Sequence, residues 1–220
     1  MALYLEGVLV ALKGVPVTVG VSFAATVIGI LFGFVLAIMK LSRSRVLGAI
    51  ATVYVEVIRG TPVVVQALVF AYGIPQLLQA HGVAFKWDRL IIPAVLCCGL
   101  NSAAYVAEII RGGLQAVDKG QTEAAYSLGM SHSLAMRIVI IPQALKIALP
   151  TFGNEFVALI KETSVLSYVG VVEILRRGAI WNAKTFYTFQ AYIGVAIVYM
   201  LLTIPLGRLI KYLEKRMSTG

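Results

Sequence analysis

Arg59 and Glu155 are charges set in otherwise apolar surroundings, and they carry the first chemical reading of this chain. A charge at the centre of a bilayer costs about 2.5–3.5 kcal/mol on insertion scales, so one retained there reads by default as functional. A guanidinium holds a carboxylate through two parallel hydrogen bonds, and a carboxylate holds a positive group. The pair therefore suits a small ligand carrying both charges. Plainer readings stand beside this one. Glu155 can pair with Lys146 or Lys161, and Arg59 with Glu56 three residues back on the same helical face.

Asn101 and Ser102 fall near the middle of another apolar run, with Tyr105 one turn on. An amide in lipid either lines a pathway or joins helices, and Tyr105 can pack on a ligand. Glu162, Thr163 and Ser164 follow the run that holds Glu155 and form either an outer rim or gate, or a simple helix cap. Cys97 and Cys98 are adjacent, which is poor disulfide geometry, and they read as packing. His81 and His132 are isolated in predicted loops, so no metal site is expected. No G-x-x-x-x-G-K-[ST] stretch occurs, so ATP hydrolysis is not expected in this chain and no cofactor is called for.

The elements that must position these residues follow from composition. Of 220 residues, 60% are hydrophobic and 13% charged, and the mean hydropathy is +0.90. A soluble domain carries about 25% charge and about 45–50% apolar residues. An ordinary soluble enzyme, a disulfide scaffold and a disordered chain are thereby excluded. The net charge of +9 reads as basic membrane loops rather than nucleic-acid binding.

Residues 14–39, 60–85, 90–107 and 185–207 contain no Asp, Glu, Lys or Arg, and 138–160 holds only Lys146 and Glu155. A span needs about 20 apolar residues, and lipid forces backbone groups to be satisfied internally. The expectation is a single all-α membrane domain over 1–220, with spans near 14–39, 52–79, 89–110, 138–160 and 187–210. The first apolar stretch is too long for a signal-peptide core, so it reads as a retained span. Pro142 and Pro150 are expected to break the fourth span and bring Glu155 toward mid-membrane. Lys40, Arg43, Arg45 and the basic C-terminal tail suggest a cytoplasmic C-terminus and an outside N-terminus.

Residues 111–137 are too polar to cross. A short amphipathic helix is expected from Gln121 to Leu128, with Ala124, Ala125 and Leu128 on one side. Gly129 breaks it, and Ser131 caps a second helix over 132–137. Such a unit is either a docking element or an interfacial helix resting on lipid.

Glu123-Ala124-Ala125, three residues, Gly129, nine residues, then Val139-Ile140-Ile141-Pro142 resembles the EAA loop of ABC-transporter permeases, with aliphatic substitutions in its closing I-x-L-P. Arg59-Gly60-Thr61-Pro62 with Gln66, the stretch from Ala104 to Gly113, Pro142-Gln143-Ala144, Leu149-Pro150, Gly153-Asn154-Glu155-Phe156 and Lys161-Glu162-Thr163-Ser164 resemble its polar amino-acid branch (histidine/glutamine/arginine type). The resemblance implies a type I importer permease fold of five transmembrane helices in a bacterial cytoplasmic membrane. It implies a cytoplasmic coupling loop over 111–137, with Glu123, Ala124, Ala125, Gly129 and Met130 meeting the ATPase. The partners it implies are a cytoplasmic ABC ATPase dimer, a second copy or paralogue of the permease, and an extracytoplasmic amino-acid-binding protein. ATP would be used by the partner, and nucleic acid has no part. Substrate contact would fall to Glu155, Arg59, Asn101, Tyr105, Asn154 and Ser102. An acidic residue there favours a basic amino acid, unless Glu155 meets the α-ammonium common to all. Rival readings are a small channel or ATP-independent transporter, a membrane-embedded enzyme and a purely structural subunit.

Overall fold

The computed structural model describes residues 1–218, and every element in it is helical. α1 (Ala2–Leu12) and α2 (Val15–Leu41) form one long apolar stretch, with Pro16 tolerated in the first turn of α2. After α3 (Arg45–Arg59) the chain breaks at 60–62 and resumes as α4 (Val63–Leu68), a π-turn (Val69–Gly73) and α5 (Ile74–Ala80). α6 spans Ile91–Gln115. The polar insert folds as α7 (Lys119–Ser127) and α8 (His132–Ala135). A second π-turn (Met136–Ile140) leads into α9 (Ile141–Glu162) and a 3₁₀ turn (Thr163–Val169). α10 (Ile174–Thr185) and α11 (Thr188–Ser218) complete the described chain.

Among the described residues five stretches are long and apolar enough to cross a membrane: Ala2–Leu41, Val63–Ala80, Ile91–Gln115, His132–Val169 and Thr188–Arg216. The second expected span, 52–79, is not one helix. Pro62 lacks an N–H and pushes Thr61 out of the helical region, so α3 stops at Arg59 and the crossing begins at Val63. The expectation for the fourth span is half corrected. Pro142 is preceded by a π-turn, but Pro150 sits inside an uninterrupted α9. Pro75 and Pro142 each occupy the second position of a helix that follows a π-turn. A proline ring excludes the carbonyl four residues back, and the wider i→i+5 turn accommodates that exclusion.

α2 and α6 pack by close backbone approach. A Cβ on Gly29 would lie 2.8 Å from Ser102 Oγ, one on Gly33 2.5 Å from Val106 Cγ1, and one on Gly99 2.6 Å from Ile28 Cγ2. Small residues at such crossings let van der Waals contact join helices in lipid. The main core joins Val21 and Ala25 of α2, Ala67, Ala71, Cys97 and Cys98, and Leu159, Leu166 and Val169 from the end of α9 and its 3₁₀ turn. A second core joins Ala11, Ile174, Val195 and Val198 of α1, α10 and α11. Glu173, fully buried, caps α10 by accepting from the Leu175 and Arg176 N–H groups at 2.7 Å each, and from the Tyr199 hydroxyl at 2.8 Å. Burial pushes its carboxyl above the ordinary carboxylate range, and the three donors pull the other way. Phe23, Leu31, Phe34 and Ile38 of α2 and Leu201 of α11 are exposed. That surface is far too apolar for water and suits lipid.

Candidate transport cleft and coupling elbow

An open cleft of about 510 Å³ runs between α6 and α9, with the end of α3 at its side. Thr151, Asn154 and Glu155 face it from α9, Tyr105 and Glu108 from α6, and Arg59 from α3. The two charges singled out in the sequence are thus brought to one cavity, on different elements.

Among the described residues Arg59 forms no ion pair with Glu56. Its guanidinium carbon lies 5.3 Å from the centroid of the Tyr105 ring, a cation–π contact. Its Nη1 stands 3.8 Å from Glu108 Oε2. Glu155 Oε1 accepts from Ser102 Oγ at 3.3 Å, and neither Lys146 nor Lys161 forms an ion pair with it. Ser102 is buried, wedged between Glu155 and the backbone of Gly29.

Asn101 is not brought to the cleft. It is buried, and its Nδ2 donates to Gln66 Oε1 at 3.0 Å. Gln66 Nε2 in turn donates to the Ile58 carbonyl and to Thr61 Oγ1, each at 2.8 Å. These bonds span the break at 60–62 and satisfy backbone that Pro62 leaves without a helical partner. Asn101 therefore braces, through Gln66, the segment that carries Arg59. Glu162, Thr163 and Ser164 also lie off the cleft. Thr163 is fully buried and donates to the Ile160 carbonyl at 2.7 Å. The other two are half-buried where α9 passes into the 3₁₀ turn.

Glu108 was missed as a site residue. Its Oε1 accepts from Lys40 Nζ at 2.6 Å, and its Oε2 accepts from Arg111 Nη2 at 2.7 Å. The spacing Glu108–Arg111, three apart on a helix, was the available signal. Lys40 is 68 positions away and gave none.

The polar insert folds into an elbow. Asp118 Oδ1 caps α7 by accepting from the Gly120 N–H at 2.7 Å. Gly129 has φ +77°, and the Met130 N–H closes the turn onto the Ala125 carbonyl at 3.1 Å. Ser131 caps α8 as expected, accepting from the Leu134 N–H at 3.4 Å. The Tyr126 hydroxyl and His132 Nδ1 meet at 2.8 Å across the glycine. The expected packed face is corrected: Ala125 alone is buried, while Glu123 and Ala124 are exposed and Leu128 is 78% exposed. Ala125 faces the body of the protein, and the other side of α7 is open. Met130 is half-buried behind the turn.

The family pattern described as "Binding-protein-dependent transport system inner membrane component" matches residues 29–219. The chain is 36% identical over 209 residues to the arginine transport system permease protein ArtQ of Bacillus subtilis, covering 95% of this chain and 93% of that protein. It is 35% identical over 214 residues to a putative glutamine transport system permease protein, GlnP, of Rickettsia prowazekii, covering 97% and 95%. A crystal structure of an amino acid ABC transporter with histidines superposes with a TM-score of 0.87 at 41% identity, over 94% of both chains. The chain belongs to the binding-protein-dependent transport system inner membrane components, the multi-pass permease subunits of ABC importers, whose ATPase is a separate protein.

Proposed function

We propose that this permease moves polar amino acids, with a lean to basic ones, through the α6–α9 cleft by alternating access. The observation that carries the reading is the placement of Arg59 and Glu155 around one cavity, on α3 and α9. An amino acid brings a carboxylate for the guanidinium and an ammonium or cationic side chain for Glu155. Tyr105 supports Arg59, Asn154 offers an amide beside Glu155, and Ser102 orients the Glu155 carboxylate. Relatives named for arginine and glutamine transport agree with a polar amino-acid cargo. Glu155 is what tilts the reading toward basic ones.

The elbow docks a cytoplasmic ATPase dimer. Glu123 and Ala124 lie on its open side, Ala125 seats it on the permease, and Gly129 and Met130 form its turn. ATP binds and is hydrolysed on that partner. A second permease copy or paralogue completes the pathway, and an extracytoplasmic binding protein delivers the cargo. Glu162, Thr163 and Ser164 support the outer end of α9 as part of a gate. The N-terminus lies outside and the C-terminus in the cytoplasm, as the basic loops favour.

The test is purification of the chain with its ATPase partner, followed by uptake into proteoliposomes against a panel of amino acids. ATP-dependent uptake of arginine, lysine, histidine or glutamine that is lost in Glu155→Gln, with the complex still assembled, supports the reading. Wild-type uptake in that variant contradicts it.

A further inference from the structure

Three cations gather around one carboxylate on the wall of the cleft. Lys40 at the end of α2 holds Glu108 Oε1 at 2.6 Å, and Arg111 holds Oε2 through Nη2 at 2.7 Å and Nε at 3.2 Å. Arg59 is the third, and it stands off at 3.8 Å. That is beyond hydrogen-bond distance. Glu108 is already engaged on both oxygens, so it steadies Arg59 without neutralising it. Among the described residues the Arg59 guanidinium makes no hydrogen bond, and its side chain is 45% exposed against 16% for Lys40 and 17% for Glu108. Glu155, across the cleft, is engaged with Ser102. A guanidinium fixed over an aromatic face, with its donors unfilled, is ready to take a carboxylate in a bidentate grip.

We propose that Glu108 is a positioning residue that sets the affinity of the cleft for a ligand carboxylate. Anchored by Lys40 and Arg111, it stands beside Arg59 and competes weakly with the incoming carboxylate for that guanidinium. This rests on the reading of the cleft as an amino-acid path. The charge balance gives opposite signs to two kinds of substitution. Glu108→Gln leaves three cations without their internal anion, and ligand carboxylates bind tighter. Lys40→Met or Arg111→Gln releases Glu108 to close on Arg59, and ligand carboxylates bind more weakly. A merely structural role would weaken binding in every case.

The experiment is equilibrium binding to the assembled transporter in nanodiscs, with L-arginine and L-glutamine as probes and agmatine, which lacks the carboxylate, as the control. Arg59→Gln should weaken binding of both amino acids. Glu108→Gln should tighten it by roughly tenfold, the order of one charge-assisted hydrogen bond, and agmatine should gain nothing. Lys40→Met and Arg111→Gln should weaken amino-acid binding by a similar factor, which keeps the test open if Glu108→Gln fails to assemble. If Arg59→Gln weakens binding while the Glu108, Lys40 and Arg111 variants shift together or not at all, the role of Glu108 is overturned and the cleft reading survives. If Arg59→Gln changes nothing, the cleft reading itself falls, and the role of Glu108 with it.

Discussion

Gln143 of α9 donates a 3.1 Å hydrogen bond to Gln121 of α7, 22 positions earlier in the chain. Gln143 also donates back to the Val139 carbonyl at 3.0 Å, so its amide is fixed to the π-turn at the base of α9. The elbow is thereby tied to the helix that presents Asn154 and Glu155 to the cleft. From Gln143 to Glu155 is about 18 Å of helical rise.

That tie gives the first prediction. A neutral hydrogen bond contributes about 0.5–1.5 kcal/mol, too little to decide whether the chain folds but enough to loosen a mechanical link. Gln143→Leu should leave ATPase assembly intact and lower amino-acid uptake per ATP hydrolysed. Gln121→Leu, which removes only the bond the two glutamines share, should act in the same direction, and the double variant should be no worse than Gln143→Leu, because the shared bond is already lost there. Additive losses would assign the two glutamines separate roles.

Gly129 turns the elbow at φ +77°. A side chain with a Cβ costs about 1–2 kcal/mol in that region, and nothing else lies within 4 Å of the site. Gly129→Ala should therefore act through backbone strain alone and reduce co-purification of the ATPase. Gly129→Asn, which tolerates the left-handed region better, should fall between. Equal co-purification in all three chains would show that the turn geometry is irrelevant to docking.

The α2–α6 crossing should be intolerant of added volume. Gly33→Leu drives atoms into Val106 and the Ala103 carbonyl, and overpacking of this kind costs about 1–3 kcal/mol. Gly20→Ala on the same helix meets nothing within 4 Å. Thermal unfolding in detergent should show a clear loss for the first and wild-type behaviour for the second. The reverse order would mean that these helices do not cross here.

The Asn101–Gln66 brace predicts a binding defect without contact to ligand. Gln66→Leu removes the 2.8 Å donor to the Ile58 carbonyl and to Thr61 Oγ1, leaving that carbonyl only the 3.5 Å bond from Thr61 Oγ1, and takes away the acceptor of the Asn101 amide. Leaving a buried polar group unsatisfied costs about 1–3 kcal/mol. The half-maximal substrate concentration should rise while basal ATP hydrolysis by the complex is kept. A fall in hydrolysis with unchanged half-saturation would place the brace in coupling instead.

Four of the five spans were legible because long apolar runs with few or no charges have one stable form in lipid. The second was misdrawn because hydropathy does not register a break. Val53, Tyr54 and Val57 look like span residues, yet Pro62 separates them from the crossing. The retained Pro150 was illegible for the opposite reason: a proline signals strain, and packing of α9 decides whether the helix yields. Arg59 and Glu155 stood out because each sits at or within an apolar run, although opposite charges that could pair with it lie nearby in sequence. Glu108 did not, because it lies at the end of a charge-free run among other charges, and its partner Lys40 is brought near only by the α2–α6 crossing. The elbow was legible in outline from Gly129 and Ser131. Its exposed side was not, because Ala124, Ala125 and Leu128 are alike in sequence and differ only in which of them is buried.

The most direct measurement concerns Ser127, exposed at the end of α7. Cys97 and Cys98 are buried, so a cysteine placed at Ser127 is the reactive thiol. The account predicts that Ser127→Cys escapes a membrane-impermeant maleimide in intact cells, reacts in inside-out vesicles stripped of ATPase, and is protected when the ATPase is restored. Labelling in intact cells would put the elbow on the wrong side of the membrane and contradict ATP-driven coupling through it.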